Sequence, residues 1–195
     1  MTLTAEQIEN NFTKYQALCA KLSDRSEGAL KLVDSLNERL ALCPASGKKS
    51  YHLAEPGGLV KHSLNVLTNL MTLCKTFGWD YAKDELIMVA LFHDIGKVGT
   101  DVEDYYVPAE PWRAEKMGEM YTINYDMQFM RVPERSLFML QKYGVALSLE
   151  ETLAIRLHDG LSLEENRAYC MKEPRLAFAL ATADYISTRQ EKGEW

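Results

Sequence analysis

From Leu86 to Phe92 seven residues in succession are apolar, and His93 and Asp94 follow at once. A surface helix shows an apolar stripe, whereas a helix apolar on every side has to be enclosed by other elements. The segment from Tyr81 or Asp84 to Phe92 is therefore predicted as a central helix around which the chain packs. An imidazole and a carboxylate stand side by side where it stops. These are two of the groups that a borderline or hard divalent cation takes from a protein. The 195-residue chain has only four histidines, so one of them at this junction bears on function as well as on fold.

Helical periodicity continues through most of the sequence. Thr4, followed by Glu6 and Gln7, resembles a helix cap and opens a helix to about Leu22, with Ile8, Phe12, Tyr15 and Leu18 on one face. A second helix is predicted from about Glu27 to Leu42, stopped by Pro44, and a third from Leu59 to about Phe77, ended by Gly78. Further helices are expected at 123–131, 134–143, 149–158, 162–172 and 174–191, with Pro133 and Pro174 at first-turn positions. Residues 98–122, with two prolines, glycines and aromatics, read as a long ordered loop of the kind that forms lids or substrate walls. No strand pattern emerges. The expectation is an all-α, single-domain helical bundle, with residues 1–45 as an N-terminal helical extension packed on a core of 46–195.

The composition, 47% hydrophobic and 26% charged, is that of a soluble globular protein. A net charge of −6 argues against a broad, nonspecific duplex-binding surface, while leaving room for a local basic groove. The cysteines (Cys19, Cys43, Cys74, Cys170) are scattered without a CxxC spacing, so reduced thiols are the simple reading. The N-terminus lacks the basic-then-apolar order of a signal peptide, and no apolar run approaches the ~20 residues of a membrane helix. A cytoplasmic protein without membrane association is expected.

Two distant residues complete a constellation. His62 lies about one turn into a helix behind Gly57-Gly58, and Asp184 interrupts the apolar stretch Phe178–Ile186. Taken singly, His62 reads as a satisfied core histidine and Asp184 as the partner of an arginine such as Arg156. Together with His93-Asp94, the order His, then His-Asp, then a distant Asp on separate helices resembles the HD-domain superfamily of metal-dependent phosphohydrolases. The Gly-Gly-Leu and Ser-Leu flanks of His62 and the run His93-Asp94-Ile95-Gly96-Lys97 are typical of it, and the likeness covers roughly residues 50 to 190.

That resemblance implies that His62, His93, Asp94 and Asp184 ligate a divalent metal (Mn²⁺, Mg²⁺, Fe²⁺ or Ni²⁺). Two imidazoles and two carboxylates leave octahedral positions for water and a phosphate oxygen. Asp94 is expected also to orient the water, Lys97 to neutralise substrate phosphate, and His158 to bind a second metal, act as a general acid or contact phosphate. Binuclear members supply two further histidines between the His-Asp pair and the last Asp. This chain has only His158 there, so one tight metal is expected. His52 resembles a histidine that precedes a Gly-Gly-Leu helix start in a branch of 3′→5′ exoribonucleases. Lys61, Lys97, Tyr105, Trp112, Arg113 and Arg135 complete the candidate substrate contacts, with aromatic plugs and solvated lysines as the plain alternatives.

The leading expectation is hydrolysis of a phosphoester in a small phosphorylated substrate, a nucleotide, by metal-activated water. A 3′→5′ nuclease on single-stranded RNA or DNA and a non-catalytic HD ligand-binding module are the alternatives. Degenerate modules tend to lose ligand positions, and all four are filled here.

Overall fold

The computed structural model describes residues 2–194. Helix α1 (Ala5–Cys19) opens with a reciprocal cap: the Thr4 hydroxyl accepts from the Gln7 backbone N–H, and the Gln7 side chain accepts from that of Thr4. A 3-10 turn at Ser23–Arg25 leads into α2 (Ser26–Leu42). Then come α3 (Gly58–Phe77) and α4 (Lys83–Phe92), and later α6 (Val132–Lys142), α7 (Leu149–Leu157) and α8 (Arg175–Glu191), with α5 (Pro111–Met117) inside the segment between α4 and α6.

Helix α4 is buried continuously from Leu86 to Phe92. Helix α3 lies against both α4 and α8, α7 packs on α8 and α4, and α1 covers α2, α3 and α4. One apolar cluster runs through these helices, from Tyr15 and Leu22 to Leu180 and Ala183. Tyr15 is a fixed point within it. Its ring meets Phe92 edge-on at 6.0 Å, and its hydroxyl donates to the Leu91 carbonyl at 2.6 Å. Among the described residues no helix is long and apolar enough to cross a membrane.

The structure corrects the sequence reading in three places. Residues 98–122, expected as a loop, contain α5, started by Pro111 in its first turn. They also contain one strand of a small hairpin, β1 (Tyr106–Pro108), which pairs antiparallel with β2 (Tyr121–Ile123). Tyr, Val, Thr and Ile favour strands, but three-residue strands are too short to show alternation. A helix at 123–131 does not form, because Ile123 ends β2 and Asn124 turns the chain by accepting from the Asp126 N–H. A helix at 162–172 is replaced by a 3-10 turn, Glu164–Tyr169. That stretch lacks an apolar stripe, and the buried Asn166 is engaged by the Gly160 carbonyl and by Arg156.

Beyond α4 the chain passes Asp94 into a 3-10 turn, Ile95–Lys97, that is clamped by α6. The Ser136 hydroxyl donates to the His93 carbonyl (2.8 Å) and accepts from the Gly96 N–H (2.9 Å). Arg135 donates to the Gly96 and Met130 carbonyls at 2.9 and 2.7 Å, with its guanidinium 4.6 Å over the Tyr105 ring. Gly96 has no room for a side chain, since a Cβ would lie 2.4 Å from the Val132 carbonyl oxygen.

Two substitutions test this core. Tyr15→Phe removes a buried donor and leaves the Leu91 carbonyl unpaired. It is expected to cost about 1–3 kcal/mol, read as a lower urea midpoint at unchanged slope. Gly96→Ala should cost about 1–3 kcal/mol through overpacking; a wild-type midpoint would show that the turn and α6 can separate freely.

Candidate metal centre

Three helix ends, one helix face and a loop deliver the site. His62 stands on the first turns of α3, where the Gly-Gly pair has a steric cause. Gly57 has φ +81°, and a Cβ on Gly58 would sit 2.1 Å from the Leu53 carbonyl oxygen. His93 caps α4, His158 caps α7, and Asp184 lies on α8. His52 comes from the loop before α3. All four histidines of the chain thus meet in one row: ring centroids are 4.6 Å apart for His52 and His62, 5.5 Å for His62 and His93, and 4.7 Å for His93 and His158.

Each of the three buried imidazoles is oriented through Nδ1. His93 donates to the Ala90 carbonyl at 2.9 Å, His158 to the Ile155 carbonyl at 2.8 Å, and His62 to the Glu191 carboxylate at 2.9 Å. Such bonds fix the tautomer and leave Nε2 for a metal. The Nε2 atoms converge on carboxylates: His62 on Asp184 at 3.0 Å, His93 on Asp94 at 3.4 Å, and His158 on Asp94 at 3.3 Å. Even so, His62 Nε2, His93 Nε2 and Asp94 Oδ1 are buried and make no aligned hydrogen bond. Donor atoms gathered around a common cation behave in this way: bonds of about 2.1 Å at right angles place neighbouring ligands about 3 Å apart. His62, His93 and Asp94 form one group with ligand atoms within 4.8 Å of one another, and His93, His158 and Asp184 form a second. The donor set, nitrogen and carboxylate oxygen without thiolate, fits a divalent metal of intermediate hardness.

The charges point the same way. Asp94, Asp184 and Glu191 bring three negative charges into a closed space, and Lys97, 2.6 Å from Asp94, returns one. Two positive charges are wanting. Burial lowers the affinity of His62 for a proton, yet Asp184 and Glu191 outweigh it and raise its pKa to about 10. Burial likewise opposes protonation of His158, while Asp159 and Asp94 raise it to about 9. Burial would raise the Asp94 and Asp184 carboxyls, but Lys97 and His93 hold the first, and His62 the second, well below the ordinary range. Lys97 is held above its usual value by Asp94 against the effect of burial. His52 is pushed down to about 4 by burial and by the charges on His62 and Lys97, and is neutral. A divalent cation would supply the two wanting charges and displace the proton of His62, while His158, with Asp159 also beside it at 3.5 Å, could keep its own.

The structure brings together His52, His62, His93, Asp94, Lys97, His158 and Asp184. Asp184 and Lys97 are partly open to solvent, with side chains 19% and 17% exposed against 3% for Asp94. The remaining sequence candidates are engaged otherwise, although Tyr105 comes near enough to Lys97 and Asp94 to feel their charges. Lys61 faces a surface cleft between α1 and α3. Trp112 is half-exposed beside Arg113, which pairs with Glu119 at 2.7 Å. Tyr105 carries the Arg135 guanidinium, whose hydrogen bonds go to backbone carbonyls. Arg156 pairs with Glu134, away from Asp184. Glu191 escaped the sequence reading, although it stands seven residues after Asp184 on one helix, the spacing that returns to the same face. A cleft of about 750 Å³ bounded by Lys49, Tyr51, Leu53 and Tyr121 reaches the cluster at Glu191.

Comparison with curated proteins and with solved structures finds no significant match. The family model for the HD domain matches residues 59–189, a span that takes in His62, His93, Asp94, His158 and Asp184 and stops short of His52 and Glu191. With two thirds of its length accounted for in this way, the chain belongs to the HD domain family, the superfamily of metal-dependent phosphohydrolases.

Proposed function

We propose that the protein hydrolyses a phosphoester bond of a small phosphorylated substrate, a nucleotide, with a single divalent cation held by His62, His93, Asp94 and Asp184. The observation that supports this most is the convergence of buried, unaligned donor atoms on His62, His93 and Asp94 next to the Asp184 carboxylate. When bound, such a cation activates water near neutral pH and polarises a phosphoryl oxygen.

The chain's own groups divide the remaining work. Asp94 Oδ2, close to both His93 and Lys97, orients the attacking water. Lys97, on the partly open side, takes up charge on the phosphoryl oxygens as they become more negative. His158 Nε2, 3.3 Å from Asp94 Oδ1 and braced through Nδ1, holds a proton for the departing oxygen. His52, neutral and with a buried Nε2 lacking a partner, offers a hydrogen bond to the substrate.

Metal analysis of the purified protein and a phosphate-release screen across nucleotides and short oligonucleotides with Mn²⁺ test the proposal. His93→Ala and Asp94→Ala should lose both bound metal and turnover; retention of both properties in either variant would sink the assignment. Lys97→Ala should keep the metal and lose about 10²–10³-fold in kcat. Release from mononucleotides without binding of single-stranded oligonucleotides is expected, whereas salt-dependent oligonucleotide binding with processive 3′ cleavage would replace the nucleotidase by a nuclease.

A further inference from the structure

Glu191 is the last residue of α8, where the helix dipole already places negative charge, so a carboxylate there is unfavourable on its own account. It is also buried, with its side chain only 4% exposed. Both costs call for a positive partner. The basic residues nearest in sequence do not serve: Arg189 and Lys192 both pair with Glu194. Among the described residues the one ionic contact of Glu191 is His62, whose Nδ1 lies 2.9 and 3.2 Å from its two oxygens. Asn65, one turn along α3, donates to Glu191 Oε1 at 2.7 Å and holds the carboxylate in register. On its other side the His62 ring is packed against His52 and His93, so it has no alternative orientation to adopt.

We infer that Glu191 is a positioning residue for a divalent cation at His62: it fixes the Nδ1–H tautomer, raises the donor strength of Nε2, and supplies the third carboxylate of the centre. The inference rests on the metal reading proposed above. It adds a residue that lies beyond the span of the family match, which ends at 189. A carboxylate behind a ligating imidazole commonly contributes 10–100-fold in metal affinity. The contribution here is directional as well as electrostatic. A neutral amide at 191 could still accept from Nδ1–H, but it would withdraw a full negative charge.

The test uses the full chain freed of metal by chelation and dialysis, titrated with Mn²⁺ calorimetrically and with Co²⁺ by visible absorption. Glu191→Gln, nearly isosteric, should weaken both ions about 10-fold; Glu191→Ala, which also frees the ring, should weaken them up to about 100-fold and alter the Co²⁺ ligand-field bands. If Glu191 were only a structural brace, the variants would lower the melting temperature of the metal-free protein while Mn²⁺ and Co²⁺ affinities and the Co²⁺ spectrum stayed as in the wild type. That outcome overturns the inference and leaves the four-ligand centre standing. A wild-type chain that binds neither ion would overturn the metal reading and this inference together.

Discussion

The buried carboxylate of Asp94 is the interaction around which the rest of the molecule is arranged. A carboxylate that is 2% exposed is tolerated only where opposite charge and hydrogen bonds replace its lost hydration. Lys97 lies one 3-10 turn away at 2.6 Å, and the imidazoles of His93, His158 and His62 stand at 3.4, 3.3 and 3.9 Å. Each comes from a different element or element end, so the demand of one side chain draws α3, α4, α7 and the turn after α4 to a common point. Helix α6 contributes no side chain to this charge cluster, yet it secures the turn: Ser136 and Arg135 satisfy the backbone of His93 and Gly96, and Gly96 is a glycine because α6 passes too close for a Cβ.

How much of this was legible in the sequence depends on the range of the signal. The apolar run into His93-Asp94 predicts the central helix, because an all-apolar helix has nowhere else to go. The helices with long periodic stretches were placed to within a few residues. The hairpin was not, because its strands are three residues long and owe their pairing partly to the Gly47 carbonyl, which accepts from the Met120 and Tyr121 N–H groups. No local pattern in Tyr121–Ile123 encodes that distant partner. The helix expected at 162–172 does not form because Asn166 finds its partners before the segment, six and ten residues back at Gly160 and Arg156, and that pairing outweighs a weak local preference.

Within the site the distinction is sharper still. His62 and Asp184 could be singled out because a histidine behind Gly-Gly and an acid in an apolar stretch are each conspicuous, and the order of the set resembles a known family. Glu191 had the same helix face as Asp184 in its favour, but an acidic residue near a charged chain end looks like ordinary surface. Its burial becomes apparent only once α3 lies against α8. Arg135 presents the reverse case. Its type suggested a phosphate contact, whereas its donors meet backbone carbonyls and its plane meets Tyr105.

The loop before α3 links these two levels. Ser46 donates to the His52 carbonyl, Gly47 accepts from β2, Lys49 donates to the Gly118 carbonyl beyond α5, and Leu53 presses against Gly58 at the start of α3. One short segment thereby ties the hairpin to the helix that carries His62, with His52 held against the His62 ring between them. The hairpin and the His52 backbone are thus joined through hydrogen bonds of this one loop. A cation bound by His62, His93, Asp94 and Asp184 would bind only the folded chain, since its ligands come from three helices far apart in sequence, and so would stabilise wall and core together.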